Sequence, residues 1–268
     1  MNRDAVLALA GRDLRIVRRS RAVLVPIVVV PLVLLVLPPA ALLVAAGPPD
    51  ILARELQPFL LRVPDAIVAG IGGTPGQQAV ELVLVYVFAP LFLLVPVMVA
   101  AVTAADSVVG ERERQTLESL LHSPTTDGEL FLGKLLAPWA LASAVAVASA
   151  VLYGVVANAV LAGFGAEPAF PNLVWAVLVL WVAPPAAGTS LGLIVLISAR
   201  VQTFQEASQI SGVVVVPVIG LVTAQIAGVL LFDVPMLVGL GALLWLLTFL
   251  LLRFAGRRFR RDRLIAGD

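Results

Sequence analysis

The sequence predicts an all-α integral membrane protein: six transmembrane helices, an amphipathic helix at the N-terminus, and one charged helical segment held outside the bilayer. Three observations carry this reading. Hydrophobic residues make up 60% of the chain and charged residues 13%, with a mean hydropathy of +1.05, whereas a soluble domain has roughly 45–50% apolar and about 25% charged residues. Six stretches carry no charged side chain: Ala22–Pro49, Leu82–Ala105, Leu135–Ala166, Pro168–Ala199, Ala207–Phe232 and Val234–Leu252. Each is close to or above the ~20 residues a helix needs to cross ~30 Å of hydrocarbon. The third observation is where the positive charge sits. Six Arg fall in residues 1–21, six in 253–263, three Lys or Arg between Asp106 and Lys134, and one at Arg200, leaving only Arg54 and Arg62 elsewhere. Six crossings put all the basic clusters on one face, and an excess of Lys and Arg marks that face as cytoplasmic. Both termini are therefore expected in the cytoplasm and the chain in the inner or plasma membrane.

The whole of 1–268 reads as one membrane domain. Residues 1–21 interleave Val6, Leu7, Leu9, Leu14, Ile16 and Val17 with Arg12, Arg15, Arg18 and Arg19, a pattern suited to an amphipathic helix on the inner leaflet. The following apolar run is about twice the length of a 7–15-residue signal-peptide core, so it reads as a span rather than a cleaved leader. Residues 48–81 form an outer segment, with Ile51, Leu52, Leu56, Phe59, Leu60 and Leu61 at helical spacing and then a Gly- and Pro-rich loop from Gly70 to Gly76. Pro26, Pro31, Pro90, Pro96, Pro184, Pro185 and Pro217 lie inside the spans, where neighbouring helices can re-satisfy the backbone groups that a kink frees. Gly188-x-x-x-Gly192 offers a small-residue face for close helix packing.

Several chemistries are excluded by what is missing. The uncharged stretches hold no Asp, Glu, Lys, Arg or His, although ion-driven carriers and intramembrane enzymes keep ionisable groups at depth despite the cost. No Cys is present and His122 is the lone His, which leaves neither thiolate nor clustered imidazole ligands for a metal. Gly128 to Leu135 has the G-x-x-x-x-G-K spacing of a phosphate-binding loop. However, Leu135 replaces the Ser or Thr that would hold magnesium, and no strand precedes it. The basic termini read as membrane anchors rather than as a nucleic-acid surface.

The segment 106–134 is different in kind, being strongly polar between two long apolar runs. Glu111, Arg112, Glu113, Arg114 and Glu118 mix both signs of charge, while Leu117, Leu120 and Leu121 share one helical side. Ser123-Pro124 breaks that helix, and Thr126-x-x-Glu129 has the spacing of a capping box opening the next. A mixed-charge helix with a Leu patch suits docking onto another protein better than binding an anionic surface.

The run Glu111 to Pro124, with Thr116, Leu117, Glu118, Leu120 and Leu121 in place and continued by Glu129-Leu and Gly133-Lys134, resembles the coupling segment between the second and third spans of type-2 ABC transporter permeases. Ser198 to Gln209 is similar to the cytoplasmic turn before the fifth span in that family. The early outer segment looks like the layout of the sodium-export and drug- or peptide-export branch.

The resemblance implies a membrane-spanning, non-catalytic subunit of an exporter, with no cofactor in this chain. ATP and magnesium would be bound by a separate ATPase present in two copies. A second permease chain, identical or related, would complete the path across the lipid bilayer, and nucleic acid plays no part. Residues 106–134 would couple to the ATPase. Tyr153, Asn158 and Gln225, the larger polar side chains within the spans, are candidates for the translocation path, although such groups serve first as helix–helix hydrogen bonds. A membrane anchor or assembly scaffold using the same segment only to recruit a partner is the alternative from a different class.

Overall fold

The computed structural model describes residues 11, 15, 21–45, 51, 54, 63, 65–107, 127–198, 212–227 and 232–258. Among these there is no strand, and the chain is an antiparallel bundle of apolar helices. Four are long and apolar enough to cross a membrane: α2 (Pro75–Ala105), α3 (Phe131–Gly163, within a helix running Asp127–Gly163), α4 (Leu173–Ile197) and α6 (Val234–Gly256). Two shorter apolar helices complete the set, α1 (Ile27–Leu43) and α5 (Val216–Gln225). The six apolar runs thus correspond to six helices, of which four have spanning length among the described residues.

The bundle has two ends. Ser107 and Asp127 lie at what we call the segment end, on either side of residues 108–126; Thr74, the loop from Phe164 to Asn172, and Asp233 mark the loop end. The 111–121 helix, Pro124, Thr126 and the 198–209 turn beyond Ser198 lie outside the described residues, as do most of 1–21 and the 51–61 helix.

α2 is the central rod, with 78% of its most apolar stretch buried, against 17% for α6 at the periphery. It packs on α1, α3 and α4, while α4 packs in turn on α6. The small-residue face anticipated at Gly188 and Gly192 is used here. A Cβ on Gly188 would sit 2.5 Å from Thr248 Cγ2, and one on Gly192 2.7 Å from Leu251 Cβ, so only glycine lets α4 and α6 approach this closely.

Helix ends follow local capping chemistry rather than the edges of the uncharged runs. α2 begins seven residues before Leu82, because Thr74 accepts from the Gln77 amide while Gln77 Oε1 accepts from the Thr74 amide, with Pro75 at the first helical position. Gly73 makes the turn possible at φ 92°, where a side chain would be strained and would also run into Gln77. Asn172 caps α4 through the Trp175 amide, and Asp233 caps α6 through the Met236 amide. The helices therefore run past the uncharged stretches and take Glu81, Lys134 and Arg253 into their ends.

Prolines impose a repeated local feature. Each of three helices widens into a single π turn shortly before a proline: Leu32–Val36 before Pro38 and Pro39, Val83–Val87 before Pro90, and Leu178–Val182 before Pro184 and Pro185. In each the bond closing the turn spans five residues, as in Phe88 N–H to Val83 O. Proline has no N–H and its ring crowds the carbonyl four residues back, so widening the preceding turn relieves the clash but leaves carbonyls unserved.

Candidate functional site

The π turn of α2 lies at the centre of the bundle, and its freed backbone gathers three other helices. Leu84, Val85 and Tyr86 present three consecutive carbonyls. Pro90 can serve neither Val85 in the π register nor Tyr86 in the α register, since it lacks a donor. Tyr153 Oη on α3 donates to Leu84 O at 2.6 Å, Trp175 Nε1 on α4 donates to Val85 O at 2.9 Å, and Gln225 Nε2 on α5 donates to Tyr86 O at 2.5 Å. Unpaired backbone groups are costly in hydrocarbon, so each donor is needed where it stands.

Aromatic packing fixes these donors. The Tyr153 and Trp175 rings stack with centroids 4.3 Å apart and planes 8° from parallel, and Trp175 meets Phe92 and Phe170 edge-on at 5.2 Å and 5.3 Å. Such pairs add a little beyond their buried area. Ser190 Oγ on α4 donates to Val97 O of α2 further along, and Trp139 Nε1 on α3 donates to Pro184 O.

At the loop end Asn158 is occupied by the backbone that follows its own helix. Its Nδ2 donates to Phe170 O, and its Oδ1 accepts from the Ala169 and Phe170 amides. Gln77 Nε2 crosses from α2 to donate to Phe164 O and Gly165 O at 3.2 Å and 2.7 Å. Beside Asn158 a groove of about 480 Å³ opens between α3 and α4, walled largely by Val151, Val155, Phe170, Trp175 and Leu180; its apolar lining suits hydrocarbon rather than an ion.

At the segment end a second set of polar groups is buried: Asp106, Ser107, Glu129 and Lys134 are all less than 8% exposed. Lys134 Nζ donates to Ser107 O at 3.2 Å, joining the residues that follow α2 to the helix Asp127–Gly163. No group of three or more His, Cys, Asp or Glu among the described residues is placed to hold a metal.

Residues 7–235 match the sequence profile of the ABC-2 family transporter protein. The chain belongs to the ABC-2 transporter family. No curated protein matches it. ABC-2 permeases are the membrane-spanning subunits of ABC transporters, so this chain is a transport subunit and not itself a catalyst, embedded in a membrane by several apolar helices.

The residues singled out in the sequence of this ABC-2 permease divide into three groups. Glu111, Arg112, Glu113, Arg114, Thr116, Leu117, Glu118, Leu120, Leu121 and Pro124 lie outside the described residues. Glu129 and Lys134 are inside the bundle rather than on its surface. Tyr153 and Gln225 meet at the π turn of α2, while Asn158 sits apart at the loop end. Gln225 differs from the other two, because its Oε1 is buried without a hydrogen-bond partner among the described residues. Sequence reasoning missed Trp175 and Gln77. Thr74-Pro75-x-Gln77 carried a readable capping signal, but nothing local to Trp175 points to a carbonyl on another helix.

Proposed function

We propose that this chain is the permease of an ATP-driven exporter, forming the path across the membrane as a dimer and coupled to two copies of a separate ATPase through residues 106–134. The observation that carries the reading is the segment end. The charged stretch 108–126, with its Leu-rich sequence pattern, is flanked by the buried Ser107 and Lys134, which are hydrogen-bonded to each other, as a lever needs in order to pass a push from outside the bilayer into the bundle. ATP and magnesium are bound by the partner, whose closure shifts the membrane helices between two arrangements close in energy. The proline-widened turns supply places where those helices bend.

Two measurements test this. Purified alone, the chain turns over no ATP, and purified with its ATPase it raises ATP hydrolysis when a transported compound is added. A complex whose hydrolysis ignores every compound tried points to a scaffold instead. The segment end is the cytoplasmic end in this reading, so a reporter after Asp268 or inserted near Thr126 is found in the cytoplasm and one near Gly73 outside. A Thr126 reporter found outside would reverse the orientation and remove the lever with it.

A further inference from the structure

The groove between α3 and α4 is as long as one half of a bilayer is deep. It is lined on α3 from Val147 to Asn158 and on α4 from Asn172 to Leu180. At about 1.5 Å per residue the longer wall spans about 16 Å, roughly half of the ~30 Å hydrocarbon core. Its polar side chains, Asn158 and Asn172, stand at the loop end, and no charged side chain lines it among the described residues. Both carboxamides are turned to nearby backbone, Asn158 to Ala169 and Phe170, and Asn172 to Ala169 and Trp175. Such a lining selects against ions and polar solutes.

The floor of the groove does not close the gap by itself. Trp175 is held by its bond to Val85 O and its stack on Tyr153, and Phe170 meets both of those rings edge-on. Gly154 contributes no side chain, although a Cβ there would meet Phe170 Cβ at 3.5 Å, an ordinary contact. The rims are Val151, Val155 and Leu180, each about two-thirds exposed, on two helices long and apolar enough to cross a membrane. The medium beside them is therefore hydrocarbon. A void left there would forfeit dispersion contacts along its whole lining, and water would find few partners among polar groups already bonded. A helix of a second copy, ~10–12 Å across, is too wide for about 480 Å³ spread over that length. A single unbranched hydrocarbon chain fits both the length and the width.

We propose that this groove binds one acyl chain of a membrane phospholipid from the leaflet at the loop end, with the headgroup beside Asn172 and the tail reaching Val147. The bound chain packs against Trp175, the residue that serves Val85 O, and so completes the packing beside the widened turn of α2. The site requires only that the chain be embedded in a membrane, and it stands apart from any coupling to an ATPase.

The test uses the full chain reconstituted in phosphatidylcholine bilayers, extracted in mild detergent and weighed intact by native mass spectrometry. We expect about one phosphatidylcholine to stay on each wild-type chain. Gly154→Leu fills the groove from its floor and Ala176→Leu, at an exposed lining position, fills it from the rim, so both should lose the lipid. Ala148→Leu, exposed on α3 but not part of the lining, should keep it. Should Gly154→Leu not yield folded protein, Ala176→Leu decides.

A wild-type chain that retains no phosphatidylcholine overturns the proposal, as does retention that survives both filling variants or is lost equally in Ala148→Leu. A retained molecule of another mass would give the groove to a different solute and overturn it too. The chain has no Cys, so Val151→Cys adds a single thiol at the rim; disulfide-linked pairs forming efficiently in the bilayer would assign this face to a second copy instead. Each of these failures leaves the permease reading untouched, and a chain that recruits no ATPase leaves the lipid site untouched.

Discussion

Replacing Leu117 and Leu121 together with Asp should leave the protein inserted in the membrane, strip it of its ATPase on purification and stop transport. The two leucines are four residues apart in sequence, the spacing of one helical turn, in a stretch that lies outside the described residues. A carboxylate forced into an apolar contact must be desolvated without a partner. Losing a buried interface anchor costs about 2 kcal/mol or more, which is more than tenfold in affinity. Single charge changes at Arg112 or Arg114 should do far less, because rim charges are screened by water and salt. Affinity purification followed by gel densitometry gives the answer, and a double variant that retains its ATPase and transports normally would reduce the segment to a solvated loop.

The second large effect is expected at Trp175. This ring is 4% exposed, stacks on Tyr153 and is the donor to Val85 O. Trp175→Ala removes both ring and donor. It should cost ~3–5 kcal/mol for the cavity, or about 10 °C in melting temperature for a chain of this size. Trp175→Phe keeps most of the ring and orphans only the carbonyl, and Tyr153→Phe does the same at Leu84, so each should cost ~1–3 kcal/mol at most. Thermal melting in detergent, followed by near-ultraviolet circular dichroism, should rank Trp175→Ala well below the other two. Equal losses across the three would mean that hydrogen bonding and not packing holds the π turn, and an unchanged Trp175→Ala would mean that the turn needs no support.

Much of this architecture was legible because membrane helices announce themselves in one dimension. An uncharged run long enough to cross hydrocarbon has few alternatives, and each of the six runs holds an apolar helix, four of them of spanning length among the described residues. Gly188 and Gly192 advertised a close approach four residues apart, although only the fold reveals that Thr248 and Leu251 fill the space. Helix ends were read less well. The search for uncharged residues placed the start of α2 at Leu82, when Thr74, Pro75 and Gln77 had already specified a helix start by their side-chain bonds. Proline was readable as a kink, yet a π turn depends on donors that arrive from three other helices, separated by 69, 90 and 139 residues along the chain. No local window contains that information. The same limit applies to Lys134, whose place in a family-like motif pointed outward to a partner while its side chain turns inward to Ser107.

The pairing of α2 with α3 has a mechanical meaning. The two rods are pinned at both extremities, by the Gln77 carboxamide on Phe164 and Gly165 and by the Lys134 ammonium on Ser107. Two beams tied at each end can tilt or translate as a unit, but they cannot splay like the blades of scissors. Relative movement of helices is therefore less hindered along a different seam. One such seam flanks α5, where at mid-height the carboxamide of Gln225 grips the central rod through the Tyr86 carbonyl. Among the described residues that contact rests on one side-chain hydrogen bond, whereas the α2–α3 pair is tied at both extremities.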